Sequence, residues 1–109
     1  MDKTKLRHVV LLGFKDGTTE GEIDAIVRRF AALADVVPGI EAFESGVDNS
    51  PEGIARGHTH CFFLTFPSEA ARDAYLPHPA HQDFVSFASE WIENALVIDY
   101  WAQEAKKPA

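Results

Sequence analysis

The chain has 109 residues, enough for one compact domain and too few for two, and no apolar run approaches the roughly 18 residues of a membrane span. Seventeen acidic against ten basic residues leave a net charge of −7 with the cations scattered, so nucleic acid and anionic membranes are excluded as natural partners and a small molecule or another protein fits better. Cys61 is the single cysteine, which excludes an internal disulfide, and "MDKTKLRHVV" carries neither a long leader core nor a cleavage site, so the expected location is cytoplasmic.

"LRHVVLLGF", Leu6 to Phe14, is rich in β-forming residues and predicts a strand, after which "KDGTT" supplies Gly17 for a turn and Thr18 or Thr19 as a helix cap. From Glu20 onward Ile23, Ile26, Val27, Phe30, Leu33, Ala34 and Val37 recur at helical spacing until Pro38 and Gly39 stop the helix. "IEAFESGVDN", Ile40 to Asn49, alternates as a second strand. The turn-rich "SPEGIARG" then leads into a third, "HTHCFFLTF", His58 to Phe66, as a long-looped hairpin. Pro67 and Ser68 begin a short helix, "SEAARDAYL". After "PHP" a longer helix is expected to carry Phe84, Phe87, Ala88, Trp91 and Ile92 on one face. "ALVIDYWAQ", Ala95 to Gln103, is the last strand, and "EAKKPA", 104–109, is a polar tail expected to be loose.

The order β-α-β-β-α-β, with the second helical segment broken in two, predicts an α+β, ferredoxin-like single domain over 1–109 with its core in 6–103. Its four strands form one antiparallel sheet with the first and third strands in the centre. Both alternating sets of these strands are apolar: Val10, Leu12 and Phe14 oppose Val9 and Leu11, and Phe62, Leu64 and Phe66 oppose Cys61 and Phe63. Helices cover one face of such a sheet, so the other, expected to include Trp101 or Tyr100, predicts a homodimer packed sheet against sheet.

In "YLPHPAHQDF", Tyr75 to Phe84, helix grammar places His78 near the N-cap, Pro79 at the first helical position and His81 in the first turn. A metal is not expected: the histidines at i, i+3 lack a third ligand at a diagnostic spacing from His8, His58, His60 or Asp83. Proton transfer is better motivated, because the positive end of a helix dipole disfavours an imidazolium and the tight corner can bring the Tyr75 phenol near His81. His8 and His60 lie on apolar strands, where each reads equally as a hydrogen-bonded core histidine or as a polar point in a pocket walled by Ile26, Val27 and Phe30. Cys61 has no cationic neighbour on its strand face and is expected to be buried and inert. "GTTEG" and "EGIARG" lack the spacing and the basic residue of a phosphate loop, and no cofactor is expected.

Taken together, "HVVLLGFKDGTTEGEI", "VPGIEAFESGVDNSPEG", "THCFFLTF", "YLPHPAHQDF" and "LVIDYW" resemble the dimeric α/β-barrel, or Dabb, stress-responsive domain family over Leu6 to Trp101. The resemblance implies a ferredoxin-like homodimer whose two sheets form a barrel. The family includes plant stress-induced proteins and a plant polyketide cyclase. Carried over residue by residue, the cyclase's catalytic histidine and tyrosine match His81 and Tyr75, and its pocket histidines match His8 and His60. Phe30 departs from the cyclase-like pattern, which has a polar aromatic there, and His58 stands in place of a tyrosine. Related dimeric barrels include monooxygenases that need no cofactor. Two functions are therefore expected to compete: a protein that binds a small hydrophobic or aromatic ligand and performs cyclase-like acid/base chemistry on it, and a non-catalytic stress or assembly protein without a substrate.

Overall fold

The structure, a computed structural model, describes residues 4–105. It consists of β1 (Leu6–Phe14), α1 (Glu20–Val36), β2 (Ala42–Val47), β3 (His60–Phe66), α2 (Glu69–Tyr75), α3 (Pro79–Ala88) and β4 (Ile92–Trp101). The strands form one antiparallel sheet in the order β2-β3-β1-β4, the ferredoxin-like α+β arrangement with β1 and β3 central. Of the tail expected over 104–109, residues 104 and 105 are exposed and without regular structure, and 106–109 lie outside the described residues.

Period-two alternation divides the sheet into two faces. Leu6, His8, Val10 and Leu12 of β1 and Phe62, Leu64 and Phe66 of β3 point towards the helices and are buried with Ile26, Phe30, Leu33, Val37, Tyr75, Phe84 and Ala88. Each large side chain in that layer contributes roughly 1.5–3 kcal/mol by leaving water. On the opposite face Leu96 pairs with Leu11, Ile98 with Val9 and Tyr100 with Arg7, and these three β4 residues are 43%, 54% and 45% exposed. Trp101 does not belong to that face. It pairs with Leu6 on the helix side, where it is half-buried and its indole N–H donates to Glu69 Oε2 at 3.3 Å.

Thr19, rather than Thr18, caps α1. Its hydroxyl accepts from the Glu22 N–H at 3.1 Å while Glu22 Oε1 accepts from the Thr19 N–H at 2.9 Å, a reciprocal capping box. The Thr19 hydroxyl also donates to Glu22 Oε1 at 3.1 Å, and the bonds to that oxygen, the one from the Thr19 N–H first and then the one from the hydroxyl, hold the Glu22 carboxyl below its ordinary pKa. The helix of "PAHQDFVSFA" ends at Ala88, so Trp91 and Ile92 are not on it. The Trp91 carbonyl accepts from the Lys15 N–H at 2.8 Å and Ile92 pairs with Phe14, so ladder bonding to β1 takes residues whose spacing suits a helix. For the same reason β4 starts earlier and ends earlier than Ala95–Gln103. At the hairpin, the His58 N–H and ring both bond to Ala55 O in a turn, which delays β3 to His60. Beside the shortened β2, the Glu41 and Asp48 N–H groups still bond to β3 and its approach, at Thr65 O and Thr59 O.

The hairpin loop is fastened to the end of β1: Thr59 N–H donates to Leu12 O at 2.9 Å, and the Gly57 carbonyl, at a left-handed φ of 84°, lies against Gly13. A Cβ on Gly13 would collide with that backbone carbonyl, which has no side-chain freedom to yield. Gly13→Ala is expected to cost about 1–3 kcal/mol. In a domain of this size each kcal/mol lowers Tm by about 4–8 °C, so a melt unchanged from wild type would show that the loop is not seated there.

Candidate functional site

The corner between α2 and α3 is built by its caps. Ser68 caps α2 through its hydroxyl, which accepts from the Ala71 N–H at 3.1 Å; α2 ends at Tyr75, and His78 caps α3 by accepting the Ala80 N–H on Nδ1 at 3.1 Å, with Pro79 at the first helical position. The chain is then stapled across the turn. Leu76 O accepts from His81 Nδ1 and from Gln82 Nε2, both at 2.8 Å. A carbonyl can only accept, so His81 Nδ1 carries the hydrogen and the neutral ring keeps its lone pair on Nε2.

This corner sets the Tyr75 ring between two imidazoles. The Tyr75 and His81 ring centroids are 4.3 Å apart, and His8 from β1 meets the Tyr75 ring edge-on at 5.7 Å, with Phe66 5.3 Å from Tyr75. Tyr75 is fully buried, and among the described residues its hydroxyl has no hydrogen-bond partner. Burial pushes the phenol well above its ordinary pKa of 10.0, so it stays protonated and can donate. His8 Nδ1 donates to Asp99 Oδ1 at 2.7 Å, so that in the neutral tautomer of this ring Nε2 is the acceptor edge. Asp99 Oδ2 accepts from Arg72 Nη1 at 2.7 Å, and this bond first, then the one to Asp73, raises the Arg72 pKa further. The arrangement can therefore offer one phenol donor and two imidazole acceptors, the inventory of an acid and a base.

The structure brings Tyr75, His81 and His8 together and leaves the other candidates elsewhere. His60 shares the His8 face but pairs with Leu12, four residues along β1, about 13 Å away by strand rise. It packs edge-on against Phe14 at 5.3 Å, and burial, opposed by Asp24, lowers its pKa. His60 also borders a groove of about 400 Å³ between β2 and the hairpin loop, lined among others by Leu11, Gly46, His58, Cys61 and Phe63. Ile26 and Phe30 are buried in the core, Val27 packs against it, and Phe30 stacks on Phe62 at 4.5 Å and lies 4.6 Å from Phe84. Cys61 is half-buried rather than buried, and desolvation followed by Glu44 raises its thiol pKa, which keeps it a thiol. Among the described residues no three His, Cys, Asp or Glu side chains are grouped as a metal would require. Sequence reasoning missed Asp99 and Arg72. A lone carboxylate inside the apolar run "LVIDYW" was the available signal for Asp99, while Arg72 carried none.

A ferredoxin-like α+β domain with a buried tyrosine between two histidines at a broken-helix corner defines the class. The stress responsive A/B barrel domain (Dabb) model matches residues 6–102, and the chain belongs to that family. It is 37% identical over 98 residues to the stress-response A/B barrel domain-containing protein HS1 of Arabidopsis thaliana, covering 90% of each chain. It is 28% identical over 95 residues to olivetolic acid cyclase of Cannabis sativa, covering 87% of this chain and 94% of the cyclase. Among solved structures it resembles the hydroxynitrile lyase of Passiflora edulis, with a TM-score of 0.88 and 25% identity over 97% of this chain and 100% of the lyase. It also resembles a dimeric ferredoxin-like protein from Jannaschia sp. CCS1, with a TM-score of 0.73 and 31% identity over 88% of this chain and 97% of that one. No helix among the described residues is long and apolar enough to cross a membrane.

A buried hydroxyl without a partner is destabilising, so Tyr75→Phe is expected to stabilise the fold by about 1 kcal/mol, within the 1–3 kcal/mol range for such groups. The sign with pH also follows. A tyrosine whose folded pKa is raised keeps its proton after the unfolded chain has begun to lose it, so stability falls as pH rises above about 10. Wild type is expected to lose Tm there faster than Tyr75→Phe, as followed by melts from pH 7 to 11. Parallel curves would show that the phenol is solvated in the folded protein.

Proposed function

We propose that this protein works as a homodimer that binds a small hydrophobic or aromatic, oxygenated molecule against Tyr75 and moves a proton on it. His81 Nε2 takes the proton from the carbon α to a carbonyl, and the Tyr75 hydroxyl donates a hydrogen bond to the oxygen on which the enolate charge develops. The electron pair of the broken C–H bond passes into the enolate, and the proton rests on His81 until it is returned. The observation that carries this reading is the buried Tyr75 hydroxyl, unpartnered among the described residues and held between two imidazoles whose Nδ1 bonds leave Nε2 as acceptor in the neutral tautomer. A cyclase and a lyase among the similar proteins support small-molecule chemistry. The expected setting is the cytoplasm under stress.

A thermal-shift screen of aromatic and polyketide-like acids tests it. A ligand is expected to raise the Tm of wild type and not that of His81→Ala, and turnover of any substrate found is expected to fall by about 10²–10⁴-fold in His81→Ala. Equal shifts in both proteins would remove His81 from the site.

A second reading has its own observation. Phe30, Phe43, Phe62 and Phe84 fill the layer between α1, α3 and the sheet with rings 4.5–6.3 Å apart, as in a protein that has no ligand to admit there. In that non-catalytic stress or assembly protein, His81→Ala lowers Tm through the lost Leu76 bond and no ligand is found.

The homodimer rests on the outer sheet face, where Leu96, Ile98 and Tyr100 stand exposed beside Val9 and Leu11, and on the dimeric relatives. Ile98→Asp would bury an unpaired charge in a sheet-against-sheet contact. It is expected to run as a monomer in gel filtration at low micromolar concentration where wild type runs as a dimer, and a wild-type monomer would overturn the assembly.

A further inference from the structure

Asp99 is held at both oxygens. It stands on β4 directly opposite His8 on β1, with Oδ1 accepting from His8 Nδ1 and Oδ2 from Arg72 Nη1, each at 2.7 Å. Arg72 lies on α2 three residues before Tyr75, on the same side of the helix, and its Nε bonds to Asp73 Oδ1 at 2.7 Å, which sets the plane of the guanidinium. The Arg72 and Asp99 side chains are 19% and 21% exposed, and His8 is buried. A partly exposed ion pair contributes little to stability by itself, so its geometry is the more informative property. Without a second anchor a carboxylate rotates and exchanges its oxygens. With one, the imidazole meets a single fixed acceptor.

We infer that Arg72 is a positioning residue for the Tyr75 corner: by holding Asp99 Oδ2 it keeps Oδ1 on His8 Nδ1, fixes the His8 tautomer with its lone pair on Nε2, and ties α2, with Tyr75, to β4. The polar and charged groups around His8 are Asp99 from β4, and Arg72 and Tyr75 from α2. Asp73 lies behind Arg72 and His81 of α3 behind Tyr75, while β3 offers the uncharged Phe66. Only the consequence for a ligand depends on the proposed chemistry. The wiring itself is a property of these side chains.

The test is nitrogen NMR of the imidazole rings in the full-length protein at neutral pH, on wild type, Arg72→Met and Arg72→Lys. Wild-type His8 is expected to show a protonated Nδ1 and a bare Nε2, two widely separated signals. In Arg72→Met the pair collapses towards a common averaged position and the Tyr75 ring signals move, and in Arg72→Lys, which returns a cation to Oδ2, the separation is restored. A wild-type His8 pattern in folded Arg72→Met overturns the inference. If that variant does not fold, Arg72→Ala, which likewise removes the donor to Asp99 Oδ2, is read in the same way. A wild type that binds nothing in the ligand screen while Arg72→Met still collapses the His8 pattern would remove the proposed chemistry and leave the positioning role standing.

Discussion

The parity of β1 governs the molecule. Because β1 is central in the sheet and side chains alternate, Leu6, His8, Val10 and Leu12 must all face the helices once any one of them does. That row buries an imidazole among apolar residues, and a buried polar group without a partner costs on the order of 1–3 kcal/mol. The sheet supplies the partner through register. Antiparallel pairing sets Asp99 opposite His8, so the same ladder that makes the fold also makes the hydrogen bond.

The helix side of the sheet carries two different environments. Around β2 and β3 it is filled by the rings of Phe30, Phe43, Phe62 and Phe84, which exclude water through contact alone. Around His8 and the α2–α3 corner, Tyr75 and two imidazoles replace phenylalanine, and there the packing leaves hydrogen-bonding capacity uncommitted. One backbone serves both. The difference lies in side-chain chemistry, and because function resides in such sites rather than in the backbone, proteins similar to this one can carry names as different as a cyclase and a lyase.

The outer face is divided as well. Towards β4 it is apolar, with Leu96, Ile98 and Tyr100 exposed. Towards β2 it is hollowed beside Gly46 and edged by Glu44 and Asp48. A helix covers neither half, since all three helices pack on the other side, so the alternation that buries His8 also leaves this face for a partner.

Much of the architecture was legible because local rules and global fold agree. Alternation in "LRHVVLLGF" and "HCFFLTF", helical spacing from Ile23 to Leu33, the threonine cap and the "PHP" corner each depend on near neighbours in the chain, and each led to the correct element. The closeness of Tyr75 and His81 was legible for the same reason, since six residues and two caps span it. What the sequence could not decide were matters of long-range registration. Trp91 and Ile92 suit a helix by spacing until β1 captures them; Trp101 changes face because pairing with Leu6 settles its parity; and His60 parts from His8 because they occupy opposite ends of paired strands. The contact of Arg72 with Asp99, across 27 residues of chain, arises only when α2 folds back over β4. Sequence alone therefore determined which elements form and which residues share a face, because those follow from periodicity. Tertiary structure alone decided which polar groups meet, because hydrogen-bond partners are chosen by register and docking between distant segments.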